Sequence, residues 1–388
     1  MSKRAFLLGN GCSIPYGSPA GGAIFVRGLE IFYQHLLHSP STNVYYRLGD
    51  SLRWMFHFLA HFSKDLVPIY SYPEDVGPAF DRVLKSQSFG DYTYVRRVLE
   101  KLPFWRVVPY LETIYRDSSG HGYMNLLHKQ TTMADLPGNL FERIGTFTAQ
   151  SIAASLHDTP DRFYERFAHM IHVCGGDALL ILPNYDTRLE QALLNMAPAG
   201  LRCAYVLDPG IRIHAPVSLL DAKPNVTLIK PHGSMNAFYC PSCDGVSYLD
   251  PSQDCLFWSL PSHGPCNLPN HQGPRPESYP LCVPFATIVP LPQIPSFGIA
   301  VRATAYISSL LADADEVIVI GFGFAQLDGS RDFVDEHLFR AIAARPLRIV
   351  STTPSEAFRI SSVLRARGAV ADHILVDGFN GYLLQNGF

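Results

Sequence analysis

Apolar and polar positions follow two different periods along this chain, and the change of period divides it. Arg4–Leu8 is a short apolar run ending in Gly9-Asn10-Gly11-Cys12-Ser13, the pattern of a buried strand feeding a tight glycine turn. From Ile24 to His172 the spacing is helical instead. Arg27–Leu37, Tyr46–Phe62, Tyr92–Leu99, Pro109–Tyr115 and Asn139–Leu156 repeat apolar residues every three or four positions, with breaks such as Ser39–Thr42 and Asp117–Gly122 between them. From Asp177 the runs shorten: Ala178–Leu182, Ala204–Leu207 and Val226–Ile229 read as strands, and Glu190–Leu194 falls where a crossover helix is needed. Tyr239–Pro295, rich in Cys, Pro, Gly and Ser, shows neither period and predicts a small irregular module or a long loop. The last part returns to strand–helix alternation. Glu316–Ile320 is a strand ending in Gly321-Phe322-Gly323, followed by a helix over Phe333–Ala344, a strand at Leu347–Val350, a helix over 354–367 and a short strand at Ile374–Val376.

Strands that alternate with helices predict a parallel sheet covered on both faces. The expected fold is α/β, a Rossmann-like doubly wound domain built from residues 1–25 and 176–388. Residues 26–175 are a helical insertion or cap, and 239–295 a small Cys-rich insertion. No internal repeat is visible.

Composition narrows the function classes. At 388 residues and 47% hydrophobic content the chain can bury a sizeable core. With 31 Lys+Arg against 34 Asp+Glu, the net charge of -3 carries no electrostatic footprint for nucleic acid. The apolar run after Met-Ser-Lys-Arg is far shorter than a signal-peptide core, and no stretch reaches the roughly 20 apolar residues of a membrane span. Eight cysteines without secretory features point to free thiols or metal rather than disulfides, and to a cytoplasmic protein.

Candidate chemistry sits where strands end. Gly9-x-Gly11 and Gly321-x-Gly323 are turns in which backbone amides can approach a phosphate, although neither completes G-x-G-x-x-G. The strand at 180–182 runs into Pro183-Asn184-Tyr185-Asp186, placing polar groups at the carboxyl edge of the sheet. There Asp186 or Thr187 can equally cap the next helix. The strand at 227–230 runs into Pro231-His232-Gly233-Ser234.

Taken as an ordered set, Gly-Asn-Gly-Cys-Ser at 9–13, Asn-Tyr-Asp at 184–186, His-Gly at 232–233, Cys-x-x-Cys at 240–243 and Gly-Phe-Gly at 321–323 resemble the sirtuin superfamily. The likeness is to its divergent NADase branch, known from bacterial anti-phage defence, and covers roughly 1–25 and 176–388. It implies NAD+ as substrate. Gly9, Asn10, Gly11, Cys12, Ser13, Gly321, Phe322 and Gly323 are then expected to line the NAD site. Asn184 and His232 would flank the nicotinamide ribose as catalytic residues, and Asp186 would support them. A histidine has an ordinary pKa near 6.5 and suits general-base work. The segment Ile14-Pro15-Tyr16-Gly17-Ser18-Pro19 lacks the Asp-Phe-Arg that protein deacylases carry there, and Gly321-Phe322-Gly323-Phe324 replaces their Gly-Thr-Ser. Both departures favour NAD hydrolysis over deacylation. A non-catalytic NAD or ADP-ribose sensor is the alternative from another class.

Cys240-Pro-Ser-Cys243 has the spacing of half a tetrahedral zinc site. The expected quartet for a structural zinc is Cys240, Cys243, Cys266 and Cys282, with His271 able to replace Cys266 and with Cys255 and His263 nearby. The resemblance further implies control by homo-oligomerisation or by a defence partner such as a translocase ATPase or a short Argonaute. The insertion at 26–175 is the place expected for such contacts.

Overall fold

The computed structural model describes residues 4–19, 23–38, 75–101, 147–174, 177–215, 219–240, 245–251, 264–265, 277–282, 295–324 and 333–388, with positions 49, 52, 53, 56 and 73 between them. In chain order the strands are β1 (Arg4–Leu8), β2 (Ala178–Ile181), β3 (Cys203–Tyr205), β4 (Arg212–His214), β5 (Val226–Ile229), β6 (Gly233–Cys240), β7 (Gly245–Tyr248), β8 (Gly264–Pro265), β9 (Glu277–Cys282), β10 (Glu316–Ile320), β11 (Leu347–Ser351) and β12 (Ala371–Leu375). The helices are α1 (Ile24–His38), α2 (Val76–Ser86), α3 (Phe89–Lys101), α4 (Phe163–Val173), α5 (Arg188–Asn195), α6 (Pro295–Leu310), α7 (Phe333–Ala343), α8 (Pro354–Arg365) and α9 (Gly378–Gln385). Residues 147–155 are also helical.

Seven strands form one all-parallel sheet in the order β12-β11-β10-β1-β2-β5-β3. All four residues of β2 are buried, as are the last four of β1 and of β10. Burial on both faces is why these strands read as unbroken apolar runs. Helices flank the sheet. α4 presses Phe167 edge-on against Phe6 of β1 at 5.2 Å, and Phe379 of α9 meets the Phe167 ring at 5.5 Å. Each such ring, fully buried, contributes about 1.5–3 kcal/mol. This is a mixed α/β, Rossmann-like architecture, as the alternation of runs predicts.

Expected elements recur within a few residues at β1, β2, β3, β5, β10, β11, α1, α3, α5, α7 and α8. The last strand begins earlier than expected, at Ala371, and α2, α6 and α9 were not anticipated. The expected helix at Pro109–Tyr115, and most of those at Tyr46–Phe62 and 139–146, lie outside the described residues.

The Cys/Pro-rich stretch departs most from its reading as irregular. It contributes to a second, mixed sheet ordered β4-β7-β6-β9-β8. β6 begins ahead of that stretch, and its polar Ser234 and Asn236 are buried along with Met235 and Ala237. Each makes a hydrogen bond inside: Ser234 Oγ donates to Tyr185 O, and Asn236 Nδ2 donates to Leu249 O at 2.9 Å. Among the described residues no helix is long and apolar enough to cross a membrane.

Candidate active site

β1 lies at the centre of the sheet, with β2 on one side and β10 on the other. That is a topological switch point, and in open parallel sheets ligands bind outside the strand carboxyl ends there. The register aligns those ends: Leu8 pairs with Ile320, Leu7 with Ile181, and Ile181 with Ile229. The segments after β1, β2, β5 and β10 carry the predicted motifs, so the fold brings all four to one edge.

The two glycine turns touch. Gly9 N–H donates to Ile320 O at 2.8 Å and Gly11 N–H to Gly321 O at 2.9 Å. A Cβ on Gly9 would lie 2.4 Å from Gly321 O, and one on Gly321 would lie 2.7 Å from Cys12 N. Gly321 also holds φ +66°, which favours glycine. The glycines therefore let the two loops approach each other. Four amides of the first turn, those of Gly9, Gly11, Cys12 and Ser13, already donate within the protein. Asn10 ties the turn to the next segment of chain, donating to Pro19 O and accepting from Ser18 Oγ. Burial, reinforced by the Asp186 charge, pushes the Cys12 thiol up and keeps it protonated. Phe322 and Phe324 come directly after Gly321 with their rings edge to face at 5.0 Å, and Gly323 is exposed.

Asn184 is 7% exposed and spends its amide on the first turn, donating to Gly9 O at 3.1 Å and to Ser13 Oγ at 2.8 Å. A carbonyl only accepts, so the bond to Gly9 fixes which amide atom is nitrogen, and both its hydrogens are used. Oδ1 is left for a ligand. Asp186 is 3% exposed; its Oδ1 accepts from the Arg188 N–H, and its Oδ2 is buried with no hydrogen-bond partner among the described residues. Thr187 occupies the N-cap position of α5 without a side-chain cap, so Asp186 supplies the capping bond. His232 is buried in the turn after β5, edge-on to the Tyr185 ring. The chain on from His232 returns to the Asn184 loop, with Met235 N–H donating to Tyr185 O at 2.9 Å.

Sequence reasoning missed the ion pair beneath these loops. Lys230 Nζ lies 2.7 Å from Glu190 Oε1 and also donates to Asp186 O, with both side chains essentially unexposed. Tyr205 OH donates to the same Glu190 oxygen, and its ring stacks on Tyr248 of β7 at 4.0 Å. Burial raises the Glu190 carboxyl despite the opposing pull of Lys230. A signal existed: a lysine directly ending an apolar strand, and a glutamate four residues past Asp186 on the apolar face of a helix. Tyr164, from the region without motifs, was missed as well; its hydroxyl lies 2.7 Å from Ser13 Oγ.

Of the expected zinc quartet, the structure describes the strand positions of Cys240 and Cys282. The register sets Cys240 beside Gly245 and Tyr239 beside Tyr279, while Cys282 lies beside Gly233 at the other end of β6. Cys282 thus stands four residues along β9 from the position level with Cys240, about 13 Å of extended strand. Cys243, Cys255, Cys266, His263 and His271 lie outside the described residues, and among the described residues no group of three or more His, Cys, Asp or Glu can hold a metal. A surface hollow of about 520 Å³ between Asp315, Arg348 and Asp372 lies at the opposite, amino edge of the sheet and includes none of the predicted residues.

The carboxyl edge thus offers a buried acceptor, a buried carboxylate and a buried imidazole on adjacent strand ends beside two glycine turns. No protein-family profile matches this chain, and no curated protein matches it either.

Proposed function

We propose that this chain is an NAD+ glycohydrolase that cleaves the nicotinamide–ribose bond to give nicotinamide and ADP-ribose. The observation that carries the reading is the convergence of Asn184, Asp186 and His232, all buried, at the carboxyl ends of β2 and β5 beside the switch point. The order of motifs that resembles the sirtuin-like NADases supports the same assignment.

The chemistry asks little of an acid catalyst, because nicotinamide leaves from a cationic ring nitrogen. As the C1′–N bond breaks, its electron pair neutralises that ring, and C1′ acquires oxocarbenium character. Water then bonds to C1′, and its proton passes to His232 and on to solvent. Asn184 Oδ1, held in place by the two bonds its nitrogen makes, accepts from a ribose hydroxyl or from that water. The Asp186 carboxylate, with one oxygen bonded to the start of α5, places negative charge near the developing cation. A dry site strengthens both effects.

The resemblance extends the proposal to biology: an effector that depletes NAD when triggered, assembled as a homo-oligomer or with a defence partner.

Nicotinamide release by the purified protein tests the reading, beside Asn184→Ala and His232→Ala. Each substitution is expected to lower turnover at least about 100-fold, the lower end of what one positioned acid–base group supplies, while NAD still binds. Wild-type turnover that survives both substitutions would place the site elsewhere. Binding of NAD with no turnover would favour the sensor, and absence of binding would end the proposal.

A further inference from the structure

We infer that Tyr164 is a positioning residue for Asn184, acting through Ser13, and that the segment around it mechanically links the 26–175 region to the active site. The catalytic part of this inference rests on the NADase reading.

Ser13 Oγ is the junction. It accepts from Asn184 Nδ2 at 2.8 Å and shares a hydrogen bond with Tyr164 OH at 2.7 Å, all fully buried. A hydroxyl has one proton and two lone pairs, so these two partners, with at most one water, fill it. Three elements, the β1 turn, the end of β2 and the start of α4, therefore lock at one oxygen. Removing the Tyr164 hydroxyl frees Ser13 to rotate, and with it the amide that orients Asn184 Oδ1.

Tyr164 is itself clamped. Its ring stacks on Tyr16 at 4.8 Å and meets the Phe379 ring at 5.7 Å. Its backbone N–H donates to Tyr16 OH at 2.7 Å, and Tyr16 OH donates in turn to Glu165 Oε2 at 3.1 Å. Burial above all, with the Asp186 charge adding to it, keeps the Tyr164 phenol protonated. The same segment grips both motif loops. His157 N–H donates to Tyr16 O at 2.9 Å, and Asp158 pairs with Arg188, the first residue of α5, at 3.2 Å. At Gly17, with φ +86°, a Cβ would come within 2.1 Å of Ser155 O. A displacement of residues 155–165 is thereby transmitted to the loops on both sides of Asn184.

The full-length chain carrying Tyr164→Phe keeps the ring stack and loses only the hydroxyl. Turnover per folded molecule is expected to fall roughly tenfold to 100-fold, the scale of a misplaced positioning group. The NAD dissociation constant should stay within about threefold, and Tyr164→Phe should add little on top of Ser13→Ala. A residue that only packs would lower stability and leave turnover per folded molecule unchanged, which would overturn the inference. The relay is also read without substrate, by urea unfolding of wild type, Tyr164→Phe, Asn184→Ala and the double variant. Coupled groups should deviate from additivity by about threefold or more in the unfolding constant. If the wild type releases no nicotinamide, the NADase reading fails while this cycle still decides the relay, and additive losses overturn it.

Discussion

The sheet has two halves that meet between β1 and β10, and their carboxyl edges are built on opposite principles. On the β2–β5 side the polar groups are buried and wired to one another: Asn184, Asp186, Glu190, Lys230 and His232 are each 7% exposed or less. On the β11–β12 side the chain turns to water one residue past the strand: Ser351 is buried at the end of β11, Thr352 and Thr353 are exposed, and Glu356 is half-buried. The glycine turns repeat the contrast. The first continues into two 3-10 turns over Asn10–Cys12 and Ile14–Tyr16 that bury Cys12, Ser13 and Tyr16. The second leaves Gly321 and Gly323 exposed, with Arg359 of α8 donating to Gly323 O. One half holds its polar groups fixed in the interior, and the other presents an open rim. The same Gly-x-Gly spelling serves both.

The largest effect that would test this contrast lies at Lys230. Replacing it with Met leaves the Glu190 carboxylate buried without its cation, which costs about 3–5 kcal/mol for a broken buried pair. Combining Lys230→Met with Glu190→Gln removes both charges and leaves Tyr205 OH an acceptor, so most of the loss should return. Denaturant titration of the single and double variants measures both quantities. A single-variant loss below about 1 kcal/mol would mean that the buried half is no more committed than the open one.

The glycine turns give the next comparison. Gly9→Ala drives a methyl against Gly321 O and Phe322 Cα, which are backbone atoms that cannot swing aside. Overpacking of this kind costs roughly 1–3 kcal/mol or more. The nearest atom a Cβ on Gly323 would meet is the Arg359 guanidinium at 4.0 Å, and its φ is not positive. Gly323→Ala should therefore stay within about 0.5 kcal/mol, as surface substitutions do. Equal losses in thermal unfolding would erase the distinction between the turns.

The same physics decides how far each half was legible. Strands buried on both faces announce themselves as apolar runs, so β1, β2, β5 and β10 could be read directly, and with them the strand ends that carry Asn184 and His232. Groups held by tertiary pairing leave no local period. Lys230 and Glu190 are 40 positions apart in the chain, and although each is oddly placed for a charge, nothing local names the other as its partner. Ser234 and Asn236 are buried in β6, and their partners, Tyr185 O and Leu249 O, belong to other segments. The first glycine turn was read as a phosphate cradle. Its glycines are also demanded by the Gly321 loop near the other end of the chain, a requirement that spacing does not encode. Tyr164 sat in a region without motifs, and only the packing of α4 on β1 carries its hydroxyl to Ser13.

The smallest effect belongs to the open rim. Thr353 caps α8, and the Glu356 carboxylate reaches back to the residue before the cap. Thr353 Oγ1 accepts from the Glu356 N–H at 3.1 Å, while the Glu356 carboxylate accepts from Thr352 N–H at 2.7 Å and Thr352 Oγ1 at 2.8 Å. Thr353→Ala removes the cap and should lower stability by about 1 kcal/mol, a shift of roughly 1 °C in the unfolding temperature of a chain this long. Because water can take over the exposed amide, the loss stays local to α8, and nicotinamide release should be unaffected. A loss as large as that of Lys230→Met, or a parallel fall in turnover, would show that the rim is coupled to the buried half.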